Sequence, residues 1–370
     1  MKPAFDSLGQ AVGFCLLVLV LLLLPAVFTK GMLPPREEIY SSVPWKIGPY
    51  PYIHHAIFEE KGDVDVAFMG GSLMYMGIDT PYVEDALTKS LGRKATAITT
   101  AWNWMGFDAL YFVAQDLLVN RKVNTIVLID VTSTDKKPHA AAPYWFRFGD
   151  NAEALRGMPL KFIPQYYFAA ILGMPRNLLS LIRPNDPRFF YSAERGNPNF
   201  SEIPHPSLSA SNPADRLGSQ KVEVDYHFAK FVPYTPNPSA SPADACVYSP
   251  ATADKFQFSN ETLPPLELHF AQKFGALARA HGVHLVMLTI PEPGEPETPY
   301  ITERVNWPAI MNTDVTMVGI PPAKFYAGMT PDDIDKFSPD RGHLNENGQQ
   351  YFTRLITPAL VKIYEAQPSH

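Results

Sequence analysis

Two short segments at opposite ends of the chain carry the residue types that nucleophilic catalysis needs: Gly70-Gly71-Ser72-Leu73 and Asp340-Arg341-Gly342-His343. A serine hydroxyl is a weak nucleophile until a neutral imidazole can take its proton. A carboxylate then keeps that imidazole in the right tautomer and stabilises the imidazolium. Ser72 as nucleophile, His343 as general base and Asp340 as orienting carboxylate would suffice for acyl transfer through a covalent serine ester. Asp340 and His343 are close enough in sequence for one short loop to present both. Gly70 and Gly71 let the backbone turn sharply and let a substrate come close. Alone, each segment reads as an ordinary turn. Their order within a pattern of strands and helices is what joins them.

That pattern is legible in the hydropathy. Apolar runs at 64–68, 95–98, 125–130 and 283–289 read as buried strands. Residues 80–92 read as a helix with Thr80 as N-cap and Pro81 at the first helical position. Further helical periodicity covers 107–120, 266–281 and 347–366. Such alternation predicts an α/β fold with a parallel sheet covered on both faces. The site should then lie beyond the carboxyl ends of the strands, where the Ser72 and Asn103 loops meet.

On these residues the chain resembles the SGNH (GDSL-type) hydrolase superfamily. Its members carry the nucleophile in a Gly-Asp-Ser-Leu-like block after the first strand and an Asp-x-x-His block near the C-terminus. Here Gly71 stands where the family has aspartate, whereas 340–345, followed by Gly348, fits the second block. The resemblance covers 63–139 and 264–370. It implies an SGNH-type three-layer α/β/α sandwich. It also implies an oxyanion hole built from the serine amide, a glycine after the second strand and an asparagine after the third. Ser72 supplies the first donor, and Gly106 is the candidate glycine in a register that 100–106 leaves open. Thr134 stands where the asparagine is expected. Asn103 is the alternative donor and reads equally as a loop-capping amide. Trp102 and Trp104 beside it read as substrate-lining or core residues rather than catalytic ones.

Composition narrows the class. With 370 residues and 46% apolar content the chain can form one large domain or two small ones. A net charge of −6 without a basic run argues against a nucleic-acid partner. No CxxC, HExxH or P-loop pattern occurs, and the 10 histidines lack ligand spacing. The adjacent His54 and His55 would face opposite sides of a strand. No metal and no nucleotide cofactor is therefore expected.

Residues 11–28 are uncharged and apolar, within the range of ~17–25 residues that spans a bilayer. No small-x-small cleavage pattern follows them, and Cys15 precedes most of the run. Residues 1–31 are thus expected to be a short tail and one N-terminal transmembrane helix, rather than a cleaved signal or a lipoprotein leader. The short tail places the rest outside the cytosol. Beyond the anchor Cys246 has no second cysteine to pair with, which suits a bacterial envelope protein. Residues 32–62 read as a tether and 63–370 as the catalytic domain. That domain carries a long Pro-, Ser- and Asn-rich insertion at about 140–264. Within it, 162–181 is expected to be helical and packed on the domain's own core.

A membrane-anchored member of this superfamily outside the cytosol is similar to the polysaccharide O-acetyltransferases. The resemblance implies that Ser72 accepts an acetyl group and passes it to a hydroxyl of an exopolysaccharide. It also implies a membrane-bound O-acyltransferase partner that supplies acyl groups from the cytosolic side. A carbohydrate or lipid esterase with the same triad is the alternative. A non-catalytic scaffold of an envelope assembly is the second alternative.

Overall fold

Apart from Asp65, the run that leads to Ser72 has nothing to offer water. In the computed structural model it forms β1 (Val64–Gly70), with every residue buried. The structure describes residues 5–28, 37, 39–42, 50–102, 104–130, 137–139, 141–145, 152–168, 240–259, 262–294, 297–338 and 342–367. Further strands are β2 (Ala97–Ala101), β3 (Val123–Ile129), β4 (Cys246–Val247), β5 (Phe256–Phe258), β6 (His284–Thr289), β7 (Ile301–Arg304) and β8 (Val315–Gly319). Six of them form one sheet in the order β2-β1-β3-β6-β8-β4. All neighbours in it are parallel except β4, which runs antiparallel to β8 with Cys246 opposite Gly319. A separate pair joins β5 to β7.

Helices cover both faces, as a sheet buried on both sides requires. The helices Phe107–Asn120 and Pro265–Ala280 pack on each other, while Thr80–Leu91 packs on Glu346–Glu365. The fold is therefore α/β with a mostly parallel sheet between helical layers. Strand order reverses between β1 and β3, and in open parallel sheets that switch opens a crevice at the carboxyl ends. Ser72 follows β1 directly.

Several sequence expectations need correction. Asp79, not Thr80, caps the helix Thr80–Leu91: its side chain accepts the Tyr82 amide at 3.3 Å. The Thr80 hydroxyl is buried and bonded to that of Thr99 instead. His54 and His55 lie on helix rather than strand. The helix Tyr50–His54 passes into a π-turn, His55–Glu59, and both Nδ1 atoms approach the Glu59 carboxylate at 3.2 and 2.7 Å. The segment 32–62, expected as a tether, places Ile39, Tyr40, Tyr52, Ile53, Ala56 and Ile57 in the core. The Tyr40 hydroxyl donates to Asp116 at 2.9 Å, which fixes this segment to the helix Phe107–Asn120.

The strands β8 and β4 were not foreseen. β4 comes from the long insertion, so part of that insertion completes the sheet edge. Of the helix expected over 162–181, residues 163–168 are helical and 169–181 lie outside the described residues. Tyr166 is buried there, whereas Phe168 is exposed.

The expected anchor falls in the helix Leu8–Phe28. Its side chains are described as far as Leu21, and no helix among the described residues is long and apolar enough to cross a membrane.

Asp65 is the polar exception in β1, and it joins three parts of the chain. It accepts Arg93 Nη1 at 3.1 Å, the Thr96 amide at 2.8 Å and the Tyr364 hydroxyl at 2.5 Å. Burial pushes its carboxyl up, but the hydrogen bonds from Arg93, Tyr364 and Thr96 outweigh that and hold it below the usual value. A depressed carboxyl stabilises the fold above its unfolded-state pKa of ~3.9 and loses that contribution as pH falls through the folded value. Arg93 is more than half exposed, so its share is screened by water. Asp65→Asn is expected to lose about 1–3 kcal/mol at neutral pH. Thermal unfolding of both proteins from pH 7 to 3 checks this: the gap should hold above about pH 5 and narrow below about pH 4.

Candidate active site

β1 ends at Gly70, Gly71 makes the turn, and Ser72 opens the short helix Ser72–Gly77. Both glycines are required by close approach. A Cβ on Gly70 would lie 2.9 Å from Ile129 Cγ2, and one on Gly71 would lie 3.0 Å from the Trp104 carbonyl oxygen. The backbone at Gly71 has φ −86°, open to any residue, so a side chain there would be opposed by the tight contact with Trp104 and not by conformation. The loop after β2 occupies the volume beside Gly71.

From the far end of the chain His343 reaches the same point. Its Nε2 lies 2.8 Å from Ser72 Oγ, and the pair is partly buried. The loop that carries it is fixed at its exit. Asn345 caps the helix Glu346–Glu365 by accepting the Gly348 amide at 3.1 Å, and its own Nδ2 donates to the Lys336 carbonyl at 2.7 Å. The same helix grips the nucleophile side. Gln349 Nε2 donates to the carbonyls of Tyr75 (2.9 Å) and Ile78 (3.2 Å), and Thr353 Oγ1 accepts the Asp79 amide at 2.9 Å. One helix thus holds both partners of the Ser72–His343 pair in a fixed relation.

Of the other candidates, Asp340, Asn103 and Thr134 lie outside the described residues. Gly106 is buried at the start of the helix Phe107–Asn120, where a Cβ would meet Asp108 Oδ1 and His139 Cβ, each at 2.8 Å. Trp102 is fully buried, and its amide donates to the Gly70 carbonyl at 3.1 Å, so it belongs to the core and not to a substrate wall. Trp104 differs: the residue is 56% exposed.

Sequence reasoning missed two buried carboxylates near these loops. Asp108 accepts the Ala109 amide at 2.8 Å, the His139 amide at 2.9 Å and the Tyr166 hydroxyl at 2.6 Å. Burial and the neighbouring Asp108 both raise the Tyr166 phenol well above its ordinary value, so it remains a donor. Asp130 closes β3 and is 3% exposed. It accepts Trp307 Nε1 at 2.6 Å and Thr289 Oγ1 at 3.0 Å, with Arg304 Nε at 3.7 Å. Burial pushes its carboxyl up, against Arg304, Trp307 and Thr289, which pull it down. Both carboxylates are buried and act as structural clamps. The signal for each was a lone acid inside an apolar run, Phe107-Asp108-Ala109-Leu110 and Val127-Leu128-Ile129-Asp130.

The described residues contain no group of three or more His, Cys, Asp or Glu side chains able to hold a metal ion. What the site holds is a hydroxyl and an imidazole in hydrogen-bond contact at the first turn of a helix. Helix geometry leaves the amides of that turn without intrahelical acceptors. Compared with protein-family models and with curated proteins, the chain matches neither.

Proposed function

We propose that this chain is a serine O-acyltransferase of the SGNH (GDSL-type) kind, which moves acetyl groups through Ser72 onto hydroxyls of an extracytoplasmic polysaccharide. The observation that carries the reading is the 2.8 Å contact between Ser72 Oγ and His343 Nε2, made across 271 residues of chain. With its own proton on Nδ1, the imidazole accepts the serine proton at Nε2 as Oγ attacks the acyl carbonyl. The tetrahedral intermediate collapses, the donor's leaving group takes that proton from His343, and the acyl group stays on Ser72. A sugar hydroxyl then attacks the ester while His343 takes its proton. Collapse of the second intermediate returns the proton to Ser72 Oγ and releases the acylated sugar.

Asp340 completes the triad in this reading. The Ser72 amide, with Asn103, Gly106 and Thr134 as candidate donors, stabilises the oxyanion; each such donor contributes a factor of ~10²–10³ in rate. Transfer in place of hydrolysis requires that the acceptor outcompete water, and a partly buried nucleophile favours that. Residues 11–28 anchor the chain in a bacterial inner membrane, with the catalytic domain in the periplasm. A membrane-bound O-acyltransferase partner supplies the acyl group.

The test uses the full chain in detergent micelles with p-nitrophenyl acetate, with and without oligosaccharides. Intact mass and nitrophenol release are followed together. An acetyl adduct that moves onto sugar supports transfer. An adduct lost to water at one rate with or without sugar makes the protein an esterase. No adduct and no release from folded protein would leave the scaffold reading.

A further inference from the structure

Acyl-enzyme formation makes no use of Trp104, yet this residue breaks two rules at once. Its backbone has φ +64°, a left-handed conformation that bulky L-residues rarely adopt. The residue is 56% exposed, whereas Trp102, Trp145 and Trp307 are each fully buried. An exposed ring gains little from burial that could offset such a backbone. Strain of this kind persists only where the surroundings impose it, and it gathers at ligand sites.

The surroundings here do impose it. On one side the Trp104 carbonyl fills the space over Gly71, one residue before the nucleophile. On the other, the indole meets the His139 ring at 6.4 Å between centroids, and that ring also packs against the buried Trp102 at 6.1 Å. His139 is itself fixed, with its amide on Asp108 and its Nδ1 accepting the Ala141 amide at 3.0 Å. Asp108 is secured in turn by the buried Tyr166. The result is a flat aromatic face, set against the His139 ring and open to solvent, on a loop that touches the nucleophile turn.

We propose that Trp104 is the acceptor platform of the transferase, on which a pyranose ring of the polysaccharide lies. The inference rests on the acyltransferase reading above. A pyranose presents an apolar face of C–H groups, and the negative face of the indole attracts their partial positive charge. Its hydroxyls project from the ring edge, so stacking leaves one free to approach the ester on Ser72. An outward-facing platform also suits a polymer, which can settle on it along its length without threading into a closed pocket.

The test is run on the full chain in detergent micelles with cellohexaose, chitohexaose and mannohexaose as probes. At least one should protect tryptophan fluorescence from iodide in wild type, since Trp104 is the exposed indole among the described residues. It should also accelerate loss of the acetyl adduct. In Trp104→Gly, which removes the ring and relaxes the backbone, protection should vanish. The sugar concentration for half-maximal deacylation should rise at least tenfold, more than the maximal rate falls. Trp104→Tyr keeps an aromatic face and should recover most of the response. A ring with only a packing role would instead lower the melting temperature in Trp104→Gly, which is expected to stay at or above wild type. No protection by any probe, or an unchanged sugar response in Trp104→Gly, overturns the platform. Absence of an acetyl adduct in wild type overturns the underlying acyltransferase reading, and fluorescence protection is read independently of it.

Discussion

Ser72→Ala is expected to lose at least ~10³-fold in acyl-ester turnover and to show no acetyl adduct, with its unfolding midpoint nearly unchanged. The hydroxyl is the group proposed to form the covalent bond, so nothing nearby can replace it. Its structural contribution is one hydrogen bond to His343 on a partly buried pair, which is worth about 1 kcal/mol. His343→Gln should fall by a similar factor, because an unassisted serine is a weak nucleophile. The double variant should be no worse than either single one, since residues that act as one unit do not add. Stopped-flow nitrophenol release and intact mass on all three variants decide the matter. If the two losses multiplied, the pair would not be a single catalytic device. If Ser72→Ala kept full turnover, another nucleophile would have to be sought.

Asp130→Ala should have the largest effect on stability, about 3–5 kcal/mol. Its carboxylate receives the indole N–H of Trp307 and the hydroxyl of Thr289, both buried. Arg304, mostly buried, faces it at 3.7 Å and also donates to its backbone carbonyl at 3.3 Å. Truncation leaves these donors in the core with their acceptor gone, and an unpaired buried group costs far more than a made bond returns. Asp130→Asn keeps one acceptor oxygen and should be milder. Urea unfolding of both variants provides the comparison. A loss under about 1 kcal/mol for Asp130→Ala would mean that water or a shifted side chain takes over its role. The clamp links β3, β6 and the segment after β7, so activity should fall only as the folded fraction falls.

The parts of this molecule that were legible in sequence are those whose physics is local. Four strands of the sheet, β1, β2, β3 and β6, fall on largely apolar runs, and three of the long helices show their periodicity within one residue of the observed bounds. Ser72 and His343 were found because few residue types can perform their chemistry. β4 was invisible, since two residues carry no period. β8 is short and mixed, Val315-Thr316-Met317-Val318-Gly319, and its pairing with β6 and β4 makes it a strand. His54 and His55 were misplaced because adjacency alone does not tell a strand from a helix, while the carbonyls are in fact held in a helix. Arg121 does part of that holding: it donates to the carbonyls of Ala56 at 2.6 Å and Gly62 at 3.0 Å. Trp102 and Trp104 look alike in sequence, yet one is core and the other surface. That distinction depends on tertiary placement, with Trp104 in a left-handed backbone conformation at φ +64°. The match of Gly71 to the Trp104 carbonyl is long-range contact, which no single-sequence pattern records.

The meeting of residues 72 and 343 also has a meaning in time. A ribosome makes the nucleophile first and its base 271 residues later, which at ~5–20 residues per second takes roughly fifteen to fifty seconds. Throughout that interval the serine is an ordinary alcohol on a chain that still has to be completed and folded. The helix Glu346–Glu365, which brings the two together, is made after both. On the proposed function, reactivity would therefore wait until the chain has been made through His343, and fragments that stop short of it would carry the Gly-Gly-Ser-Leu turn without its base.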